Sequence, residues 1–501
     1  MKHSFRLAVL TVCCLILCGV SVLRGQAGSP SPAPVSPPAN PSRPAASPST
    51  PQNPPAAPSP APATPQVTPG NPTPPPAVSA DNNPSVMLLK QGHTDSVRAK
   101  AARDLGKAGD ISTIPALASA LNDPSPKVRR EVVLALAQFH EAGVLPPLEQ
   151  ATKDLDDDVR IAAVQCLVGH YSGSLPASGF GGFVRKNWDR ATTHFQPDDT
   201  RIDPGIAVDP AVVSSLVAVM KDIRSRDASR EAAKGLGILT AKSAAPDLVA
   251  AAHASDTELA REALNSLSKI KDLDSGPKLV DLLDSPNKDV KRDACTTVGI
   301  LRTKEALPKL QSIFQNDPDL KDKVAAMQGL AFLGDKVSVP VFTKALWDDN
   351  KDIRQGAAEG LARAADPSAQ AELEKALMAE KDSSAKLAMD FALAALGKDD
   401  ATNDLVNGLS SKMRGDVARA YLTELARKPA FLPKLYPYLQ SPDAGIRKRL
   451  CVVLMYSGDQ GSLEQLDRLE HDPDSDVAAA ALRAKRAIRA RLDAAPTPAK
   501  A

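Results

Sequence analysis

Side chains able to do nucleophilic, redox or metal chemistry are few in this sequence and far apart. Beyond position 27 the thiols are Cys166, Cys295 and Cys451, each more than a hundred residues from the next. Each sits in an apolar run such as Ala163-Val164-Gln165-Cys166-Leu167, the setting of a small buried hydrophobe rather than a metal ligand or redox pair. The histidines there, His93, His140, His170, His194, His253 and His471, are dispersed, mostly where helix ends and turns are expected. The runs Asp156-Asp157-Asp158 and Asp348-Asp349 lack the spaced acid-x-acid-x-acid-Gly loop that wraps calcium. His-Glu-x-x-His, Cys-x-x-Cys, Gly-Lys-Ser/Thr and Gly-x-Ser-x-Gly do not occur in this part of the chain, so hydrolytic and phosphoryl-transfer chemistry has no framework here. We expect no catalytic residue, no metal and no cofactor.

Recognition is better provided for. Between 172 and 210 a glycine-rich stretch carries Phe180, Phe183, Arg185, Trp188, His194 and Phe195. Together with Tyr171 it holds five of the 17 aromatic residues in the protein. Aromatic and arginine side chains are favoured at binding hot spots, so these six form the candidate partner-binding set. The other reading is that the rings tuck against the flanking structure and pin a long loop.

The elements around this stretch follow from a period. Val97, Val128 and Val159 are 31 residues apart, as are Leu259 and Val290, and Ile446 and Val477; Ile353 and Val417 are separated by 64, two units of 32. Each unit opens with an acid or a Ser/Pro turn, continues as V-R-x-x-A-A-x-x-L-G at helical spacing, and turns at Gly or Asp. A second helix then carries x-x-P-x-L, as in Ala306-Leu307-Pro308-Lys309-Leu310, with proline in the first turn where no N–H is missed. One such pair cannot bury its apolar stripe alone and must stack. Departures at Arg226-Asp227-Ala228, Leu320-Lys321 and Ser384-Ala385 predict irregular or locally curved units. The balanced charge, +2 overall with 24% charged residues, excludes the broad basic field that draws in nucleic acid.

These units resemble HEAT repeats of the short, phycobilisome-lyase-type variety. The resemblance implies an all-α fold: a right-handed α-α superhelical solenoid of about twelve helix pairs, of the armadillo type. It further implies a ladder between adjacent repeats, on Asp95 with Arg98, Asp158 with Arg160, Asp289 with Lys291, and Asp352 with Arg354, Asp476 keeping only the acid. The expected role is a scaffold that binds proteins. Because the family contains bilin lyases and isomerases, an accessory or lyase-like subunit assisting an enzyme is the alternative. Departure from neighbour-only contact is not expected in such a stack.

The ends complete the organisation. Lys2, His3 and Arg6 precede an apolar run from Leu7 to Leu23 and the small residues of Gly25-Gln26-Ala27, so 1–27 reads as a signal peptide cleaved after Ala27, or as an uncleaved anchor. A lipoprotein is the third reading, because Leu15-Ile16-Leu17-Cys18 resembles a lipobox, from which it departs at Leu17, where a small residue should precede the cysteine. Residues 28–85 form a Pro/Ala/Ser-rich disordered linker: 21 of the 44 prolines fall between Gly28 and Pro84. Such composition cannot offset the entropy of folding, and as polyproline II it would reach on the order of 170 Å at ~3.1 Å per residue. The domains expected are repeats over 86–171, the insertion over 172–210, repeats over 211–492 and a disordered tail over 493–501. The basic helix from Val477 to Leu492 reads as a terminal cap or as a contact for an acidic partner or membrane surface. Export to the periplasm or beyond is expected, with membrane proximity only through the N-terminal segment, protein partners and no nucleic acid.

Overall fold

The computed structural model describes residues 83–173 and 201–493, all within the unit Pro74–Ala501. The leader, most of the proline-rich stretch, the aromatic segment 174–200 and the last eight residues lie outside the described residues. Every regular element described is helical. Among the described residues eleven helix pairs follow one another, framed by a leading helix, Pro84–Gln91, and a long closing helix, Ser475–Asp493. Among the described residues no helix is long and apolar enough to cross a membrane.

The local chemistry repeats with the sequence period. First helices start at an oxygen-bearing cap that accepts from backbone N–H groups of the first turn: Thr94 for Asp95–Ala108, Asp156 for Asp157–Ser172, Asn350 for Lys351–Ala364 and Asp443 for Ala444–Ser457. Several second helices open with a three-residue 3-10 turn and place proline in the next turn, as in Ile111–Thr113 followed by Ile114–Ser119. The second elements Leu273–Asp284 and Leu432–Gln440 are wound 3-10 throughout and contain Pro277 and Pro437. The three units expected to be irregular begin with ordinary capped helices, on Ser225, Asp319 and Asp382. In these three a hydroxyl or carboxylate stands at the N-cap position itself, so the helix starts are capped although the residues that follow depart from the pattern.

First helices stack side by side, each on the next. The shared faces are Ala, Val and Leu, with Leu136, Leu167, Leu236 and Leu264 fully buried, each contributing on the order of 1.5–3 kcal/mol. Close approach needs small residues: a Cβ on Gly299 would lie 2.3 Å from the Gly329 carbonyl oxygen. Small polar groups tie successive helices at a constant offset of 33 residues. Ser266 Oγ donates to the Ala233 carbonyl at 2.8 Å and Thr297 Oγ1 to that of Leu264 at 3.3 Å. Cys166, Cys295 and Cys451 are free, buried thiols in this layer, each pushed up to about 12 chiefly by burial.

Two sets of contacts correct the expectation that each repeat touches only its neighbours. Arg363, in the first helix of the eighth pair, reaches Glu424 in the first helix of the tenth, Gly415–Leu425, at 2.9 Å. First helices therefore line the inner side of a curve, where second neighbours converge. Further along, Arg483 of the closing helix holds Asp203, 280 residues away, through both carboxylate oxygens at 2.8 and 2.9 Å.

Candidate functional site

The charged residues at the starts of first helices form a periodic brace. Arg98 Nε donates to Asp123 at 2.6 Å, and its Nη1 donates to the Gly92 carbonyl. Arg129 repeats this with Asp154 at 2.7 Å and the Asp123 carbonyl, as does Arg447 with Asp472 at 2.8 Å and the Ser441 carbonyl. Arg354 pairs with Glu380, and Lys291 with Asp317 and Asp322. Apart from Asp322, which lies 31 residues on and inside the next first helix, these acids lie 25 or 26 residues downstream in the loop leading into the next repeat, where Asp123, for example, also accepts the Ser125 N–H. The first-turn acids sit elsewhere. Asp95 faces Lys127 at 3.7 Å and Asp289 faces Arg292 at 3.3 Å, both on the surface, while Asp158 and Asp352 make no such rung. Asp322, in the first turn of its helix, does reach back across the groove to Lys291 and Arg292 of the preceding repeat.

Arg160 is the exception. It is 1% exposed, its Nη1 donates to the Asp154 and Leu155 carbonyls, and its partner acid is Asp157 of its own first turn. Asp222, the acid in the next leading loop, is bound by Arg224, chiefly through a side-chain hydrogen bond that holds it down at about 2. The segment 173–209 intervenes between the two, so the rung is broken at the insertion. The candidate residues Phe180, Phe183, Arg185, Trp188, His194 and Phe195 lie outside the described residues. The described end of that segment is anchored: Ile202 N–H donates to the Ile238 carbonyl, Asp209 N–H donates to Tyr171 Oη, and Arg201 lies over the Tyr456 ring at 5.6 Å.

A polar seam lines the inner side where pairs eight and ten meet. Tyr421 stacks on Phe391 at 4.4 Å and donates to Glu359 at 2.6 Å. Arg363 lies over Phe332 at 4.4 Å, between Glu359 and Glu424. Burial pushes the Glu424 carboxyl up, but the Arg363 guanidinium outweighs it and holds the carboxyl below its ordinary value. The polar groups named here are paired with one another, and the seam ties pairs eight and ten together.

Beside it the stack parts. The helix Gly415–Leu425 has no side-chain cap, and contact between it and the preceding first helix, Ser383–Ala395, is thin. Arg449 wedges beneath the loop before it, donating to the Leu409 carbonyl at 2.7 Å. The result is a cleft of about 510 Å³ lined by Lys386, Asp390, Asp404, Asn407, Ser411 and Arg414, among others. Lys386 occupies the rung position of its repeat, but 25 and 26 residues on stand Ser411 and Lys412, not an acid. It is therefore exposed at the mouth. One turn deeper, Asp390 is 8% exposed and makes no hydrogen bond or ion pair among the described residues. Burial first, then the nearby Asp404 carboxylate, push its carboxyl up to about 7 against the opposing pull of Lys386. Met378 and Met413, next in sequence to lining residues, are 82% and 92% exposed. Among the described residues no three His, Cys, Asp or Glu side chains converge as a metal site would require. None of these cleft residues stands out in the sequence. The available signal is an acid inside the apolar run Leu387-Ala388-Met389-Asp390-Phe391-Ala392-Leu393, together with the missing acid after Lys386.

A family model for HEAT repeats matches residues 86–168, 246–331 and 307–394. None of the curated proteins matches the sequence. Among solved structures, the chain is similar to Escherichia coli YibA, at 18% identity over 56% of this chain and 93% of that one, with a TM-score of 0.36. It is similar to the complex of CpcE and CpcF of phycocyanin lyase from Nostoc, at 19% identity over 51% and 88%, with a TM-score of 0.33. It is also similar to the karyopherin Kap121p bound to the extreme C-terminus of the phosphatase Cdc14p, at 15% identity over 79% of this chain and 48% of that one, with a TM-score of 0.37.

Proposed function

We propose, from the HEAT-repeat matches over 86–168 and 246–394, that the chain is an exported scaffold that binds protein in the cell envelope and has no catalytic activity of its own. The observation that carries the reading is the cleft between the ninth and tenth repeats. There a periodic brace is interrupted, the nine-tenths-buried Asp390 faces the opening with no hydrogen bond or ion pair among the described residues, and two methionines stand exposed beside it. Thioether side chains adapt to varied apolar surfaces, which suits a protein-binding edge. The aromatic stretch 172–210 supplies a second contact, and the leader with its proline-rich spacer directs the repeats outward and holds them off the membrane.

A photo-crosslinking amino acid placed at Met413 of the full chain, in cells subsequently fractionated, tests this reading. The expected result is a specific protein adduct in the envelope fraction, on a chain beginning at Gly28 or still membrane-anchored, and no comparable adduct from Lys100 on the regular stack. Recovery of the chain in the cytosol with its leader intact would remove export. Equal adducts from both positions would remove the cleft.

A further inference from the structure

Resting on the reading of the cleft as a protein-binding site, we infer that its occupant is an extended peptide segment that inserts a lysine or arginine side chain toward Asp390 and Asp404.

The geometry selects a cation. Asp390 is nine-tenths buried, accepts no hydrogen bond among the described residues and faces an open volume of about 510 Å³ shared with a second carboxylate. A carboxyl in that position costs stability whether it is ionised and unpaired or protonated above its ordinary range. A donor of positive charge entering the cleft offsets that cost most strongly, because it pairs with the ionised form. A metal ion is disfavoured, because two carboxylates are all the acid ligands the cleft supplies. An ammonium or guanidinium on a flexible stem fits: its head meets the two carboxylates while its methylenes pass Leu377 and Leu387 and its neighbours lie along Met378 or Met413. Lys386 and Arg414 are then placed for the peptide carbonyls or an adjacent acidic side chain rather than for the inserted head. Lys386 and Asp404 are exposed and Arg414 is half-buried, so Asp390 is the deepest charged group of the cleft.

Insertion competes with the proton on Asp390. The groups facing it are Asp404 from the helix Asp399–Gly408, Lys386 from its own helix and Arg414 from the loop beyond. The carboxyl titrates at about 7 when the cleft is empty. Affinity for a basic side chain is therefore full above that value and falls about tenfold for each pH unit below it.

The test offers the full chain three peptide pools, acetyl-Xaa-Xaa-Lys-Xaa-Xaa-amide and the same pool with norleucine or glutamate at the centre, and quantifies retention by mass spectrometry. Lysine-centred peptides are expected to be retained about tenfold over the norleucine set at pH 8, to lose that advantage by pH 5.5, and to lose it at pH 8 in Asp390→Asn. Ser411→Trp, a loop substitution that fills the cleft, is expected to abolish retention without touching either carboxylate. Equal retention of lysine and norleucine pools, or lysine retention unchanged in Asp390→Asn, overturns the inference. If apolar or acidic peptides are instead retained, and lost in Ser411→Trp, this inference fails while the protein-binding cleft stands.

Discussion

Arg483 and Asp203 form a two-toothed ion pair between the closing helix and the described end of the insertion, although 280 residues separate them. The pair itself is partly solvated, with Arg483 59% exposed, and such pairs contribute about 0–1 kcal/mol. The tighter contact lies beside it. Gly205 has φ +91, and a Cβ there would stand 2.5 Å from that of Ala490. Arg483→Ala is therefore expected to leave the melting temperature nearly unchanged. Gly205→Val should cost about 2–4 kcal/mol from overpacking and an unfavourable φ. Hydrogen exchange checks the consequence: in Gly205→Val the closing helix should lose protection together with residues 201–206, while repeats near Val128 keep theirs. Equal protection in both variants would mean that the clasp carries no load.

The braces make the stack acid-sensitive. Arg354, hydrogen-bonded to Glu380, is the largest influence on that carboxyl and holds it at about 2, well under its unfolded value near 4.3. A depressed folded pKa contributes stability that is present above the unfolded value and lost as pH falls through the folded one. Glu380 is nearly buried, so Glu380→Gln should cost about 2–3 kcal/mol at pH 7. The difference from wild type should shrink between pH 4.5 and 2. Denaturant titrations at pH 7, 4 and 2.5 read this directly, and a difference independent of pH would assign the loss to packing.

Much of this architecture can be read from the chain before any coordinates. Val97, Val128 and Val159 recur because each must face the same groove in successive layers, and the prolines of second helices fall where a helix tolerates them. The brace is legible by half. Arg98 announces itself, but its carboxylate is Asp123, and pairing across 25 residues is visible only once two repeats are stacked. Asp390 reads as a polar interruption of an apolar helix. Its meaning depends on Ser411 standing where other repeats carry an acid and on Gly415 starting a helix without a cap. Asp203 carries no periodic signal at all. Its partner is set by the cumulative curve of the intervening repeats, a quantity to which every layer contributes a little.

Asp390 should behave opposite to Glu380. Its folded pKa is raised to about 7, so its contribution is present below pH 4 and lost as pH rises through 7. Asp390→Asn removes a carboxyl that is stranded in the empty cleft. The variant should be more stable than wild type by about 1–3 kcal/mol at pH 8, with the gain declining toward zero near pH 4. Thermal melts across that range check it. A variant less stable than wild type at pH 8 would show that the carboxyl has a partner in the folded chain.

Gly329 tests whether close helix approach or local propensity governs these first helices. It lies in the interior of Leu320–Leu333, where alanine is intrinsically favoured over glycine by about 1 kcal/mol. Yet a Cβ at this position would meet the Cys295 carbonyl oxygen at 2.4 Å and its carbon at 3.1 Å. Those atoms are backbone of the neighbouring first helix and cannot turn aside as a side chain would. Gly329→Ala must therefore push two layers apart, at an expected net loss of about 1–3 kcal/mol despite the better helix former. Gly143, with open space around its Cβ position, is the control, and Gly143→Ala should be neutral within about 0.5 kcal/mol. Equilibrium denaturation of the two variants separates the outcomes. If Gly329→Ala stabilises the chain, the interface is looser than its geometry indicates, and the curve that brings Arg483 to Asp203 does not depend on these glycines.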